Sequence, residues 1–233
     1  YSNCFSFGNG VESDRIRDDF NAPTIGKGVR VSTVFEDVYA EETLPNRFIY
    51  SQLYNSSSGV NLLNQFIIAD SITKDINPSY GSIQLIKTRD TDLITLCEDK
   101  CFRIQANKDS LFNADGNSNL TASNRVLGQA IPYIGEYGIS KNPESFAQYG
   151  FRAYFTDRER GVVLRLSRDG LSEISSTGMS DYFSDKLANV TSNVFGSYDD
   201  RKNSYNLSFT NQANSDPNET ISFNERVSGW TSR

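Results

Sequence analysis

The sequence predicts an all-β protein: antiparallel meanders arranged as β-propeller-like blades, with one short helix near 180–189. Three observations lead there. Along 151–166, Phe151, Ala153 and Phe155 alternate with Arg152, Tyr154 and Thr156, and Val162, Leu164 and Leu166 repeat the pattern with Arg165 on the other face. Strict period-2 alternation is the mark of a half-buried strand. Strand candidates fall into three clusters, at about 65–105, 126–175 and 192 to the end, with about four in each. Finally, 12 Tyr and 15 Phe in 233 residues, with 37% hydrophobic residues overall, suit sheets with one wet face better than a helical globule. A four-stranded meander recurring every ~50–60 residues reads as propeller blades or a stack of small sheets. A sandwich is the alternative.

Taken in chain order, residues 1–60 read as a separate β-rich region of a preceding or platform domain, with strands at "VRVSTVF" and "RFIYSQLY". Residues 61–233 read as the propeller-like domain. Both ends of the chain look like cuts, so that domain is expected to continue beyond residue 233. The first cluster holds "QFIIAD", "SIQLIKT", "DLITLCED" and "KCFRIQ". The stretch "DSLFNADGNSNLTASNRV" (109–126) is rich in turn residues and breaks the strand pattern. The second cluster centres on "FRAYFTDRERGVVLRLSRDGLSEIS" (151–175): two alternating runs joined by a polar segment ending in Gly161, then a second turn at "SRDG". "GMSDYFSDKLANV", from 178, is the helix, with Ser180 as N-cap and Phe183 and Leu187 on one face at i, i+4. The third cluster holds "NVFGSYD", "SYNLSFT", "ETISFNE" and "SGWTS".

Several chemistries are excluded by composition. The chain has no His, which removes Ser-His-Asp and Cys-His catalysis. Net charge is −6, so no overall basic surface for nucleic acid is expected. No apolar run approaches membrane-spanning length. Cys97 and Cys101 in "CEDKC" lack the partners of a tetrahedral zinc site, and read as two reduced cysteines on facing strands of a hairpin. "NADGNSN" fails the EF-hand pattern, which would put Leu111 and Ala122 at ligand positions. "SFGNGVE" is no phosphate loop, because no Lys-Ser/Thr follows its glycines. No catalytic residue, metal or cofactor is expected.

Four charged side chains in a row, Asp157, Arg158, Glu159 and Arg160, stand at the hairpin tip. A carboxylate pair such as Asp157 and Glu159 is the equipment of a glycosidase. On a hairpin tip, however, both are expected to be exposed and therefore poorly tuned for acid or nucleophile. The simpler reading is a solvated turn, and replacing Asp157, Glu159 and Arg160 together with Ala is then expected to leave the fold intact. Trp230, at the start of the last strand, is the expected structural anchor of the C-terminal cluster. A neighbouring subunit or downstream sequence is expected to cover the sheet around it.

Long stretches carry a resemblance: "NCFSFGNGVESDRIRDDFN" (3–21), "YNSSSGVNLLNQFI" (54–67), "ITKDINPSYGSIQ" (72–84), "TRDTDLITLCEDK" (88–100), "NRVLGQAIPYIGEYGISKNPESFAQYGFRAYFTDRERGVVLRLSRDGL" (124–171) and "GMSDYF" (178–183). Together they resemble large virion structural proteins of tailed bacteriophages, including those of crAss-like phages. The strand clusters are similar, more distantly, to the tail nozzle, muzzle or stabilisation proteins of short-tailed phages. The resemblance implies an incomplete or interrupted β-propeller, in a ring of identical subunits at the tail end of the virion. That ring forms and closes the DNA conduit, contacts other tail or portal-adaptor proteins and lets phage DNA pass transiently. It implies no catalytic residues. Asp157, Arg158, Glu159 and Arg160 then become candidate contacts to a neighbouring subunit. The alternative is a phage tail protein that binds or cleaves host surface glycans through aromatics such as Tyr133, Tyr137, Tyr149 and Tyr198. A third reading is a propeller scaffold with no viral role.

Overall fold

The computed structural model describes residues 43–232, apart from 53, 56, 65, 67–71, 113–117, 190–192 and 211–217. "VRVSTVF", "SFGNGVE" and most of "QFIIAD" lie outside the described residues. The chain divides into two compact units: Tyr1–Asn77 with Gln105–Gln129, and Pro78–Ile104 with Ala130–Arg233.

In the first unit, β1 (Arg47–Ile49), β2 (Tyr54–Asn55), β3 (Val60–Asn61) and β4 (Thr73–Asp75) form two small antiparallel pairs, β1 with β4 and β2 with β3. Phe48 is buried on β1, with Ile72 and Ile76 buried on either side of β4. Arg47 and Asp75, directly opposed in the register, form a two-pronged ion pair at 2.6 and 2.8 Å. The β2–β3 turn is shaped by Asn55, whose side-chain oxygen accepts the N–H groups of Ser57 and Ser58.

From residue 83 onwards the chain forms three consecutive four-stranded antiparallel meanders. The first blade is β5 (Ile83–Arg89), β6 (Asp92–Cys97), β7 (Cys101–Phe112) and β8 (Ser118–Pro132), in that order. The second is β9 (Ala147–Tyr149), β10 (Arg152–Asp157), β11 (Val162–Ser167) and β12 (Gly170–Glu173), again in chain order. Helix α1 (Ser180–Asn189) follows. The third blade is β13 (Val194–Asp199), β14 (Ser204–Phe209), β15 (Glu219–Asn224) and β16 (Gly229–Ser232). The fold is therefore all-β with propeller-like antiparallel blades, and no closed barrel is formed by the described strands.

The third blade and α1 match the sequence reading strand for strand. The stretch 109–126 does not. Residues 109–112 belong to β7 and 118–126 to β8, two long strands of which residues 105–129 are assigned to the first unit. The turn-forming residues of the stretch and its lack of alternation concealed them, since a period-2 pattern is the sequence signal of a strand.

The middle blade supplies the core on both of its faces. In β10 and β11, Ala153 pairs with Leu166 and Phe155 with Leu164. These four pack against Ile94, Leu96 and Cys101 of the first blade and against Ile139. On the opposite face, Tyr154 and Val163 join Val194, Tyr205, Leu207, Ile221 and Phe223 of the third blade, and Phe183 and Leu187 of α1. The i, i+4 pair of the helix is thus its buried stripe, as the spacing predicts. Burying a Phe or Leu side chain of this kind contributes about 1.5–3 kcal/mol, so the two shared cores outweigh any single polar contact described below.

Two glycines let the blades meet. A Cβ on Gly138 would lie 1.8 Å from the Glu98 carbonyl oxygen, and one on Gly196 would lie 1.9 Å from that of Ser145. The first approach is sealed by backbone hydrogen bonds from Ile139 N–H to Cys97 O (3.0 Å) and from Ser140 N–H to Glu98 O (2.9 Å). The second is sealed by Asn142, whose amide donates to Val194 O (3.1 Å) and accepts from Val194 N–H (3.3 Å), and by the Tyr205 hydroxyl donating to Ser145 O (2.6 Å).

Candidate functional site

The β10–β11 tip is where the sequence concentrated its charge, and the structure divides those four residues into two kinds. Asp157 ends β10 and is fully buried. This corrects the expectation of an exposed carboxylate. Its Oδ2 accepts Gly138 N–H (3.1 Å) and the Arg160 guanidinium (2.9 Å). Its Oδ1 accepts the Ser140 hydroxyl (2.9 Å) and Arg160 N–H (3.2 Å). A carboxylate offers about four acceptor positions, so these donors leave none for a substrate proton. Arg160 also reaches Asp99 of the first blade's β6–β7 turn at 3.5 Å. The pair Asp157–Arg160 therefore fastens the first blade to the second. With Asp157 held in this way, the triple alanine replacement is expected to destabilise the fold, contrary to the sequence reading.

Arg158 and Glu159 differ. Arg158 is half-buried and Glu159 exposed, and neither side chain has a hydrogen bond or ion pair among the described residues. They border an open surface cleft with Ser140, Lys141, Leu187 and Ala188. The backbone around them is fixed: Glu159 N–H donates to the Ser140 hydroxyl (3.2 Å), and Gly161 turns the chain at φ +67°.

On the first blade, Glu98 is the counterpart of Asp157. Its Oε1 accepts the N–H of Ser82 (3.0 Å) and the Ser82 hydroxyl, and Lys141 lies 3.7 Å from Oε2. The Ser82 donors first, and the Lys141 charge after them, hold this carboxyl below its ordinary value of 4.5. A carboxyl whose folded pKa is depressed contributes stability that is complete above its unfolded pKa and fades as pH falls through the folded one. We expect the unfolding free energy of the wild type to lose a component below pH ~4.5 that Glu98→Gln lacks. Parallel urea titrations of the two proteins between neutral and acid pH measure it.

Cys97 and Cys101 are free and buried at the two ends of the β6–β7 turn, as read from the sequence. Burial, and then the charge of Glu98, pushes the Cys97 thiol up to about 11. Burial pushes Cys101 up too, and its sulfur contacts the Tyr137 carbonyl at 3.2 Å. Because the thiolate is the nucleophile, alkylation of native Cys97 at pH 8 should be about a hundredfold slower than that of an ordinary thiol. Peptide mapping after iodoacetamide treatment should show both cysteines protected in the native state and labelled after denaturation.

The aromatic residues also divide. Tyr133 is half-buried and accepts the Arg89 guanidinium at its hydroxyl (2.9 Å), and Tyr137 packs at the edge of the first core. Tyr149 and Tyr198 stack with centroids 4.6 Å apart, and Tyr198 stacks in turn on Tyr154. Trp230 is half-buried. Its ring meets Phe183 (4.4 Å) and Phe223 (5.2 Å), and its indole N–H donates to Ile174 O (2.9 Å).

Sequence reasoning missed Glu225, on the β15–β16 turn. Its Oε1 accepts the Tyr154 hydroxyl (2.5 Å), and its Oε2 lies 3.2 Å from Arg165 and 3.6 Å from Arg152. The signal was faint: an acidic residue in a turn, with its two arginines 60 and 73 positions away, on the face of β10 and β11 that also carries Tyr154. Among the described residues, no group of three or more His, Cys, Asp or Glu is placed to hold a metal ion. No described helix is long and apolar enough to cross a membrane. The chain matches no protein-family model and no curated protein.

Proposed function

We propose that this chain is a structural protein of a tailed-bacteriophage virion, a non-enzymatic part of the tail nozzle that forms and closes the DNA conduit. The observation that carries the reading is the run of three consecutive four-stranded antiparallel blades that share cores through the middle one. It is the architecture that the resemblance to nozzle proteins implies. The charge is compatible with it. An acidic chain of net −6 does not hold DNA by phosphate neutralisation, whereas a cationic lumen would retain it.

Within this reading the roles of the charged tip separate. Asp157 and Arg160 hold the blades of one chain together, and Arg158 and Glu159 are the pair left for a neighbouring identical subunit. Charges at the rim of an interface govern register and association rate more than affinity. Other tail or portal-adaptor proteins complete the set of partners.

Electron microscopy of whole particles tests the proposal. Gold-labelled antibody against this chain should mark the tail end, and the density there should show a ring of identical copies. Label on the head, or particles without this chain, would overturn it. The double variant Arg158→Ala/Glu159→Ala should impair ring formation while leaving the unfolding midpoint of the isolated chain unchanged.

A further inference from the structure

We propose that the cleft between the β9–β10 and β11–β12 turns is a binding site for an acidic sugar ring, a uronate or a sialate. The cleft is open, has a volume of about 450 Å³, and is lined by Tyr149, Phe151, Arg152, Arg168 and Asp169 among others. Nothing in the nozzle reading requires it, so the two stand or fall separately.

Tyr149 supplies the stacking surface. It is the outermost of four tyrosines stacked in series, Tyr149 on Tyr198 (4.6 Å), Tyr198 on Tyr154 (5.5 Å) and Tyr154 on Tyr205 (5.0 Å). The two innermost rings are fully buried, while Tyr149 is 46% exposed. One face of its ring is occupied by Tyr198, and the stack fixes its rotamer. A ring held open in this way loses little conformational entropy when a ligand covers it.

Arg168 supplies the charge. Its guanidinium carbon lies 3.7 Å from the centre of the Phe151 ring. That cation–π contact orients the planar fork but uses none of its in-plane N–H donors. Neither Arg168 nor Asp169 has a side-chain hydrogen bond or ion pair among the described residues. Arg152, with its side chain 49% exposed, adds a second guanidinium, tied to Glu225 only at 3.6 Å.

The combination selects the ligand. A sugar carboxylate takes the two-pronged fork of an arginine, the Asp169 carboxylate accepts ring hydroxyls, and the apolar face of the ring covers Tyr149. Two arginines and one aspartate leave the lining one unit positive on a chain of net −6. This favours a single carboxylate over a neutral sugar. Asp169 disfavours the serial phosphates of a nucleic acid.

The test uses the full chain with trigalacturonate and sialyllactose as probes, and lactose and galactotriose as neutral controls, followed by ligand-observed NMR and calorimetry. The expected result is binding of an acidic probe below ~10 mM, at least about tenfold weaker for the neutral controls. Tyr149→Ala and Arg168→Gln should each weaken it by at least about tenfold. Arg168→Gln should keep the parent's thermal midpoint, and Tyr149→Ala, which loses one stacking contact, should lower it only modestly, so binding measured well below both midpoints excludes a folding effect. The proposal is overturned if neither acidic probe binds at that concentration. It is equally overturned if the variants bind like the parent, or if a single-stranded oligonucleotide binds more tightly than either sugar in an Arg168-dependent way.

Discussion

Asp157→Ala should destabilise the second unit by about 3 kcal/mol or more, because several buried donors lose their acceptor at about 1–3 kcal/mol each. The carboxylate has no exposed surface and accepts four hydrogen bonds, three of them from Gly138, Ser140 and the Arg160 backbone. Its loss leaves those donors without a partner in a site from which water is largely excluded, and an unsatisfied buried donor costs about 1–3 kcal/mol. Arg160 keeps only the 3.5 Å contact to Asp99. Asp157→Asn keeps the shape but turns an NH2 group towards N–H donors, so it should fall between the alanine variant and the wild type. Glu159→Ala, two residues along and exposed, should stay within about 0.5 kcal/mol. Urea denaturation of the three variants measures the series. Equal effects at Asp157 and Glu159 would show that the carboxylate is not the fastening.

Gly138→Ala is the second large effect. The new methyl would stand 1.8 Å from Glu98 O and 2.3 Å from Glu98 C, both backbone atoms. Carbon contacts need about 3.5 Å, so the first and second blades would have to part. Parting strains the hydrogen bonds to Cys97 O and Glu98 O and the one from Gly138 N–H to Asp157. A loss of at least about 3 kcal/mol is expected, at the upper end for overpacking. Gly196→Ala should act alike at the other junction, where its methyl would meet Ser145 O at 1.9 Å. Gly150→Ala is the control. It meets nothing within 4 Å, and its positive φ should cost only about 1 kcal/mol. Thermal unfolding of the three variants should rank the two junction glycines together, well below Gly150→Ala.

The third blade was legible because its strands alternate and its turns carry Asp, Asn and Gly. In β14, Tyr205, Leu207 and Phe209 face the core, while Asn206 and Ser208 face away. The helix was legible from two apolar residues one turn apart. The tip was misread because a run of four charges signals water. A local cue to the contrary was present: an Asp that closes an alternating strand and can accept the N–H of the residue three further on, here Arg160. The glycine junctions carried no sequence signal, since a glycine required by a distant carbonyl looks the same as one required by a turn. The cleft residues Phe151 and Arg168 were read only as strand and turn positions, for their contact crosses two turns that alternation does not relate.

Because β10 and β11 send successive side chains into different cores, their lengths are constrained in a way that those of outer strands are not. Deleting one residue from β10 would carry Tyr154 to the side of Phe155, and each core would receive a set shaped for the other. Substitutions within either parity can drift independently, but insertions and deletions cannot be absorbed there. In related chains, length variation should therefore collect in the turns at 150–151, 168–169 and 200–203, while the spacing from Arg152 to Asp157 and from Val162 to Ser167 stays fixed.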